Sequence, residues 1–133
     1  MNNNGKKAIL CVDDEKIILQ SLEGQLKSNF KQTYRLEFAE SADEALDLID
    51  EFAGDGIEVL VILSDWLMPG MKGDEFLIQV HSKYPNIKKI MLTGQADPEA
   101  ISNARDKASL YDLVSKPWDE NVLISKINDC LKV

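Results

Sequence analysis

The sequence predicts an α/β domain built on a doubly wound parallel sheet, and three observations lead there. Five short runs rich in Val, Ile and Leu alternate with five longer stretches of helical periodicity. The middle run, Glu58 to Ser64, is apolar almost throughout, as a strand covered by helices on both faces must be. Turn residues such as Ala53-Gly54-Asp55-Gly56 and Pro69-Gly70 fall between these segments.

In chain order, the first strand is predicted over Lys7 to Val12. A helix from Glu15 to Phe30 follows, on which Leu19, Leu22, Leu26 and Phe30 share a face and which Gly24 interrupts without ending. Tyr34 to Ala39 reads as the second strand. Ser41 then caps a helix, with Glu44 placed to reach back in a capping box, and Ala42, Ala45, Leu46, Ile49 and Phe52 form its apolar face. Glu58 to Ser64 is the central strand. After the Pro69-Gly70 turn, Phe76, Leu77 and Val80 mark a third helix that stops before Pro85. Lys88 to Leu92 is the fourth strand. Asp97 caps and Pro98 opens a fourth helix through about Lys107, with Ala100, Ile101 and Ala104 as a thin apolar face. Leu110 to Val114 is the last strand, and Pro117-Trp118 opens a final helix that turns Leu123, Ile124, Ile127 and Leu131 inward.

The chain of 133 residues, 44% hydrophobic and 29% charged, suits one domain spanning 1–133 with its core at about 6–131. A chain of this size buries a core without disulfides or a structural metal. The net charge of −8 opposes binding to nucleic-acid phosphates or to anionic lipid. Cys11 and Cys130 are too few for a disulfide framework and have no zinc-ligand spacing, so both read as free thiols. Ala8 to Val12 is too short for a signal peptide and no run approaches a membrane span, so the expected location is the cytoplasm.

In doubly wound sheets, ligands sit beyond the carboxyl ends of the strands. Those ends carry Asp13 and Asp14, Asp65, Thr93 and Lys116. Three carboxylates gathered by the fold repel one another unless a cation lies between them, and oxygen ligands beside an anionic substrate suit Mg²⁺. A lysine and a threonine hydroxyl make the other half of an oxyanion clamp. Each residue alone has an ordinary explanation as a cap, a turn or a solvated charge. Together they describe a phosphoryl site. His81, the single histidine, is expected at the solvated surface, Trp118 in packing, and Trp66 beside the site as a fluorescence reporter of metal.

Four segments, Leu10 to Glu15, Ser64 to Gly73, Met91 to Gly94 and Ser115 to Trp118, resemble the receiver domain of two-component response regulators over about Lys6 to Leu131. The resemblance implies a flavodoxin-like (βα)5 sheet of order 2-1-3-4-5. It implies Asp65 as phosphoacceptor, Mg²⁺ held by Asp65, Asp14 and the main-chain carbonyl of Leu67 with Asp13 assisting through water, and Thr93 and Lys116 on the phosphoryl oxygens. The donor would be a phosphohistidine on a histidine kinase or a histidine phosphotransfer protein. The chain would catalyse only its own phosphorylation and dephosphorylation and switch conformation to control an output domain or effector through the fourth helix, fifth strand and fifth helix, a face that Ile101 would also lend to a homodimer. No output domain is expected within these residues. Leu67 and Gln95 hold the two positions that flank the phosphoryl group in such domains. Leu113 stands where they usually carry a switching aromatic; Tyr111, two residues earlier, shares its face by strand alternation. Two rival readings keep the same sheet: a docking domain that never uses phosphate, and a small aspartyl-phosphate phosphatase.

Overall fold

The computed structural model describes residues 6–94 and 97–132. In chain order its elements are β1 (Lys7–Val12), α1 (Lys16–Phe30), β2 (Arg35–Ala39), α2 (Ala42–Gly54), β3 (Glu58–Asp65), α3 (Gly73–Lys83), β4 (Lys88–Thr93), α4 (Pro98–Ala108), β5 (Asp112–Ser115) and α5 (Glu120–Leu131). The five strands form one sheet in the order β2-β1-β3-β4-β5, and every pairing is parallel. This is the predicted doubly wound topology.

Alternation along the strands sorts the core into two layers. Ala8, Leu10 and Val12 of β1 pack with α2, α3 and α4 through Ala45, Ile49, Phe76, Leu77 and Ala104. Ile9 and Cys11 face the other way, toward Leu22, Leu26, Leu123 and Ile127 of α1 and α5. In β3 the alternation slips once. Ala8 is level with Val59 but Ile9 with Val61, so Leu60 is an extra residue bulged out of the pairing. Val12 is then level with Ser64, which brings the next residues of the two strands, Asp13 and Asp65, side by side.

Helix ends follow local chemistry. Ser41 Oγ accepts the Glu44 N–H at 3.1 Å, but the return arm of the expected capping box reaches the N–H of Glu40 instead, at 3.5 Å. Asp97 caps α4 by accepting the Glu99 N–H at 2.9 Å, with Pro98 in the first turn. Ala100, Ala104 and Ala108 are the buried face of that helix, while Ile101 is half-exposed.

Two elements start two residues or more away from the sequence reading, the other boundaries shifting by at most a single residue. The fifth strand begins at Asp112, because the Leu110 N–H closes α4 onto the Ala104 carbonyl and Ser109 takes a left-handed conformation at φ 52°. Tyr111 therefore lies outside the strand, and alternation does not place it with Leu113; its ring lies under the Lys88 ammonium, 5.5 Å away. The last helix begins at Glu120 and not at Pro117. Asp119 supplies the cap, accepting the Val122 N–H at 3.2 Å, and Lys116-Pro117 is a cis turn ahead of it. Cys130 joins Leu123 and Ile127 as its buried face, with Ile124 and Leu131 only half-buried.

Candidate functional site

All five chemically active residues named from the strand ends meet at one pole of the sheet. Asp13 and Asp14 follow β1, Asp65 and Thr93 are the last residues of β3 and β4, and Lys116 follows β5. Leu67, on the loop after β3, lines the same cleft of about 590 Å³ with Asp14, Asp65, Thr93 and Lys116. Gln95 lies outside the described residues.

Backbone bonds hold each group in place. The Asp13 N–H donates to Ala39 at 3.1 Å, the Trp66 N–H to Leu92 at 3.2 Å and the Lys116 N–H to Thr93 at 3.0 Å, so pairing of the strands continues into the loops. Ser64 Oγ donates to the Asp65 carbonyl at 2.9 Å. Across the loop, the Gly73 N–H donates to the Trp66 carbonyl at 2.7 Å. A Cβ at Gly73 would collide with the Asp65 carbonyl oxygen, so only glycine lets α3 start this close to the acid.

Lys116 Nζ donates to Asp13 Oδ2 at 2.8 Å and to Asp65 Oδ1 at 3.1 Å. Asp13 is fully buried and its other oxygen accepts the Glu15 N–H at 2.9 Å. Asp14 is exposed at the rim. Burial raises the Asp65 pKa, the Lys116 hydrogen bond opposes that rise, and repulsion from Asp13 adds to it. Burial disfavours the Lys116 ammonium, but its hydrogen bonds to Asp13 and Asp65 outweigh burial and hold its pKa above the ordinary value. Lys116 thus stays a cation between two acids.

Asp13, Asp14 and Asp65 offer carboxylate oxygens that all lie within 4.8 Å of one another. A single lysine does not neutralise three acids, and an all-oxygen donor set open to solvent fits a hard divalent cation. The acidic pocket therefore fits Mg²⁺.

Several contacts have no signature in the sequence. Trp66 Nε1 donates to Asp74 Oδ1 at 3.1 Å, and Lys72 Nζ lies 5.4 Å from the indole centroid. Trp118, expected in packing, packs beside α1 and α5 and also donates from Nε1 to Gln25 Oε1 at 2.8 Å. His81 is not simply solvated: it is half-buried, with Nδ1 3.1 Å from Lys89 Nζ. Each hydrogen-bonded pair is joined by the tertiary fold, across eight residues of chain or more, and no helical or strand period links its members.

The whole arrangement has relatives. Residues 9–128 match the family model described as the response regulator receiver domain. The hydrogenase transcriptional regulatory protein HoxA of Cupriavidus necator is 32% identical over 124 residues, covering 93% of this chain but 24% of HoxA. The chain thus spans about a quarter of that relative's length. The signal receiver domain of an HD domain-containing protein from Pseudomonas fluorescens superposes with a TM-score of 0.84 at 33% identity, covering 95% of this chain and 94% of that one. A CheY-like response regulator receiver domain from Methanospirillum hungatei gives 0.82 at 32% identity, with 94% and 93% covered. With this sheet order, this acidic pole and this family match, the chain belongs to the response regulator receiver domains, whose role is phosphorylation-based signalling.

Proposed function

We propose that Asp65 is the phosphoacceptor and that its phosphorylation is the signal this chain carries. The observation that supports this best is the Asp65 carboxylate itself: it ends the central strand, opens into the cleft, and is bonded by Lys116 beside two further acids. The donor is a phosphohistidine of a histidine kinase or phosphotransfer protein. A carboxylate oxygen of Asp65 forms the new O–P bond as the P–N bond to imidazole breaks, and the imidazole leaves with its electron pair and takes up a proton.

Phosphoryl transfer passes through a loose transition state, so alignment and charge neutralisation on the peripheral oxygens control the rate. The backbone bonds around Asp65 supply the alignment. Lys116 and the Thr93 hydroxyl, on the neighbouring strand ends, are the groups that receive the phosphoryl oxygens. Asp13, Asp14 and Asp65, with the main-chain carbonyl of Leu67, would hold Mg²⁺, which when bound offsets negative charge on the carboxylates and the phosphoryl group. Loss of the phosphoryl to water is likewise a reaction of this site and not of a separate enzyme.

The output is an attached domain or a partner, reached through α4, β5 and α5, and the working compartment is the cytoplasm; among the described residues no helix is long and apolar enough to cross a membrane. Borohydride reduction after treatment with phosphoramidate identifies the acceptor, because it converts an aspartyl phosphate to homoserine. Homoserine at position 65 is the expected result; an unmodified position 65 in phosphorylated protein would reject the assignment.

A further inference from the structure

The aromatic side chain that usually answers phosphorylation from the fifth strand is replaced here by Leu113, which lies half-buried against the core. A second route leads from Asp65 to α4. Trp66 follows the acceptor directly, and its N–H is bonded to Leu92, the residue before Thr93, at 3.2 Å. Its carbonyl accepts from Gly73, the first residue of α3, at 2.7 Å. A shift of the end of β4 toward a phosphoryl group is therefore felt by the Trp66 backbone.

The indole carries the shift outward. Nε1 donates to Asp74 Oδ1 at 3.1 Å, and Asp74 is only 7% exposed, an uncommon place for a carboxylate unless it is bonded. Trp66, Lys72 and Asp74 form one wall of a crevice of about 180 Å³. The opposite wall is Asp97, Ala100 and Asn103 of the cap and first turns of α4. That helix buries only alanines among its fully covered residues, so little apolar contact opposes its displacement.

We propose that Asp74, acting through the Trp66 indole, is a positioning residue that couples the state of Asp65 to helix α4. The coupling rests on Asp65 being the phosphoacceptor. The added phosphoryl carries about −1.5 to −2 charges. It draws in the end of β4, Trp66 moves with Leu92, and the bonded indole displaces the first turns of α4 against α3. The hydrogen bond to Asp74 keeps the ring from rotating within the crevice and losing that motion.

The test measures amide hydrogen exchange across Pro98–Ala108, with and without beryllium fluoride and Mg²⁺ as the phosphoryl mimic, alongside phosphoryl uptake by intact mass. Wild type, D74A, D74N and W66F are compared; Asn keeps an acceptor oxygen, and Phe keeps a ring without the donor. Wild type and D74N are expected to change α4 exchange by at least about five-fold on loading, the low end of ordinary coupling free energies. D74A and W66F are expected to take up phosphoryl at Asp65 yet leave α4 exchange unchanged. A purely structural Asp74 would lower stability and leave the loading response intact, so a full response in folded D74A or W66F overturns the coupling, as does a wild type that is phosphorylated without any α4 response. A wild type that takes up no phosphoryl overturns the acceptor assignment, and the coupling falls with it.

Discussion

Lys89 is 1% exposed, and no carboxylate among the described residues is paired with it. Nζ donates to the Ile87 carbonyl at 2.7 Å and stands 3.1 Å from His81 Nδ1. Burial, with Lys88 nearby, lowers its pKa to about 8. Between that value and the ordinary lysine value of 10.5 the unfolded chain holds more protons than the folded one, so Lys89 makes stability rise with pH across this window. Urea unfolding of wild type and Lys89→Met at pH 7.5 to 10.5 checks this. The wild type should gain stability relative to the variant as pH rises, and parallel profiles would count against a strained ammonium. Asp65 behaves in mirror image. Its pKa is raised by burial, so the ionised form burdens the fold at neutral pH and the burden lifts as pH falls through the folded pKa. Asp65→Asn should therefore melt higher than wild type at pH 7 in chelator, by differential scanning calorimetry.

At the scale of the element, α4 and α5 show where local chemistry decides. Ser109 adopts φ 52° after α4, a conformation in which glycine is unstrained. Ser109→Gly should raise stability by about 0.5 kcal/mol, the relief of strain being partly offset by the greater freedom of the unfolded chain. Asp119→Ala removes the α5 cap and should cost about 1 kcal/mol in denaturant unfolding. These same ends are where the sequence misled. Periodicity identifies α5 through Leu123 and Ile127, but it does not say whether Pro117 or Asp119 starts the helix, because both are good openers and only the tertiary turn chooses. The bulge at Leu60 is invisible for a similar reason: every residue from Val59 to Leu63 is apolar, so a one-residue slip leaves the pattern unchanged. The acids, Thr93 and Lys116 were legible because strand ends in a doubly wound sheet converge, a rule of topology that the alternation of elements reveals. The Trp66–Asp74 bond was not, since no helical or strand period links the two residues.

For the whole molecule the net charge is −8, and at one pole of the sheet three acids share one lysine. Mg²⁺ that binds only the folded chain stabilises it by mass action. Thermal unfolding should therefore shift upward with millimolar Mg²⁺ in wild type and much less in Asp65→Asn, whereas an equal shift in both would move the cation away from this pole. The docking-domain and phosphatase readings share the sheet but differ in the fate of phosphate. Phosphorylation at Asp65 is tested most directly by intact mass after incubation with phosphoramidate, with and without Mg²⁺, for wild type and Asp65→Ala. A gain of one phosphoryl, about 80 Da, that requires Mg²⁺ and is absent from Asp65→Ala is the expected result. Folded wild-type protein that gains no mass, or an Asp65→Ala variant that gains as much, would contradict it.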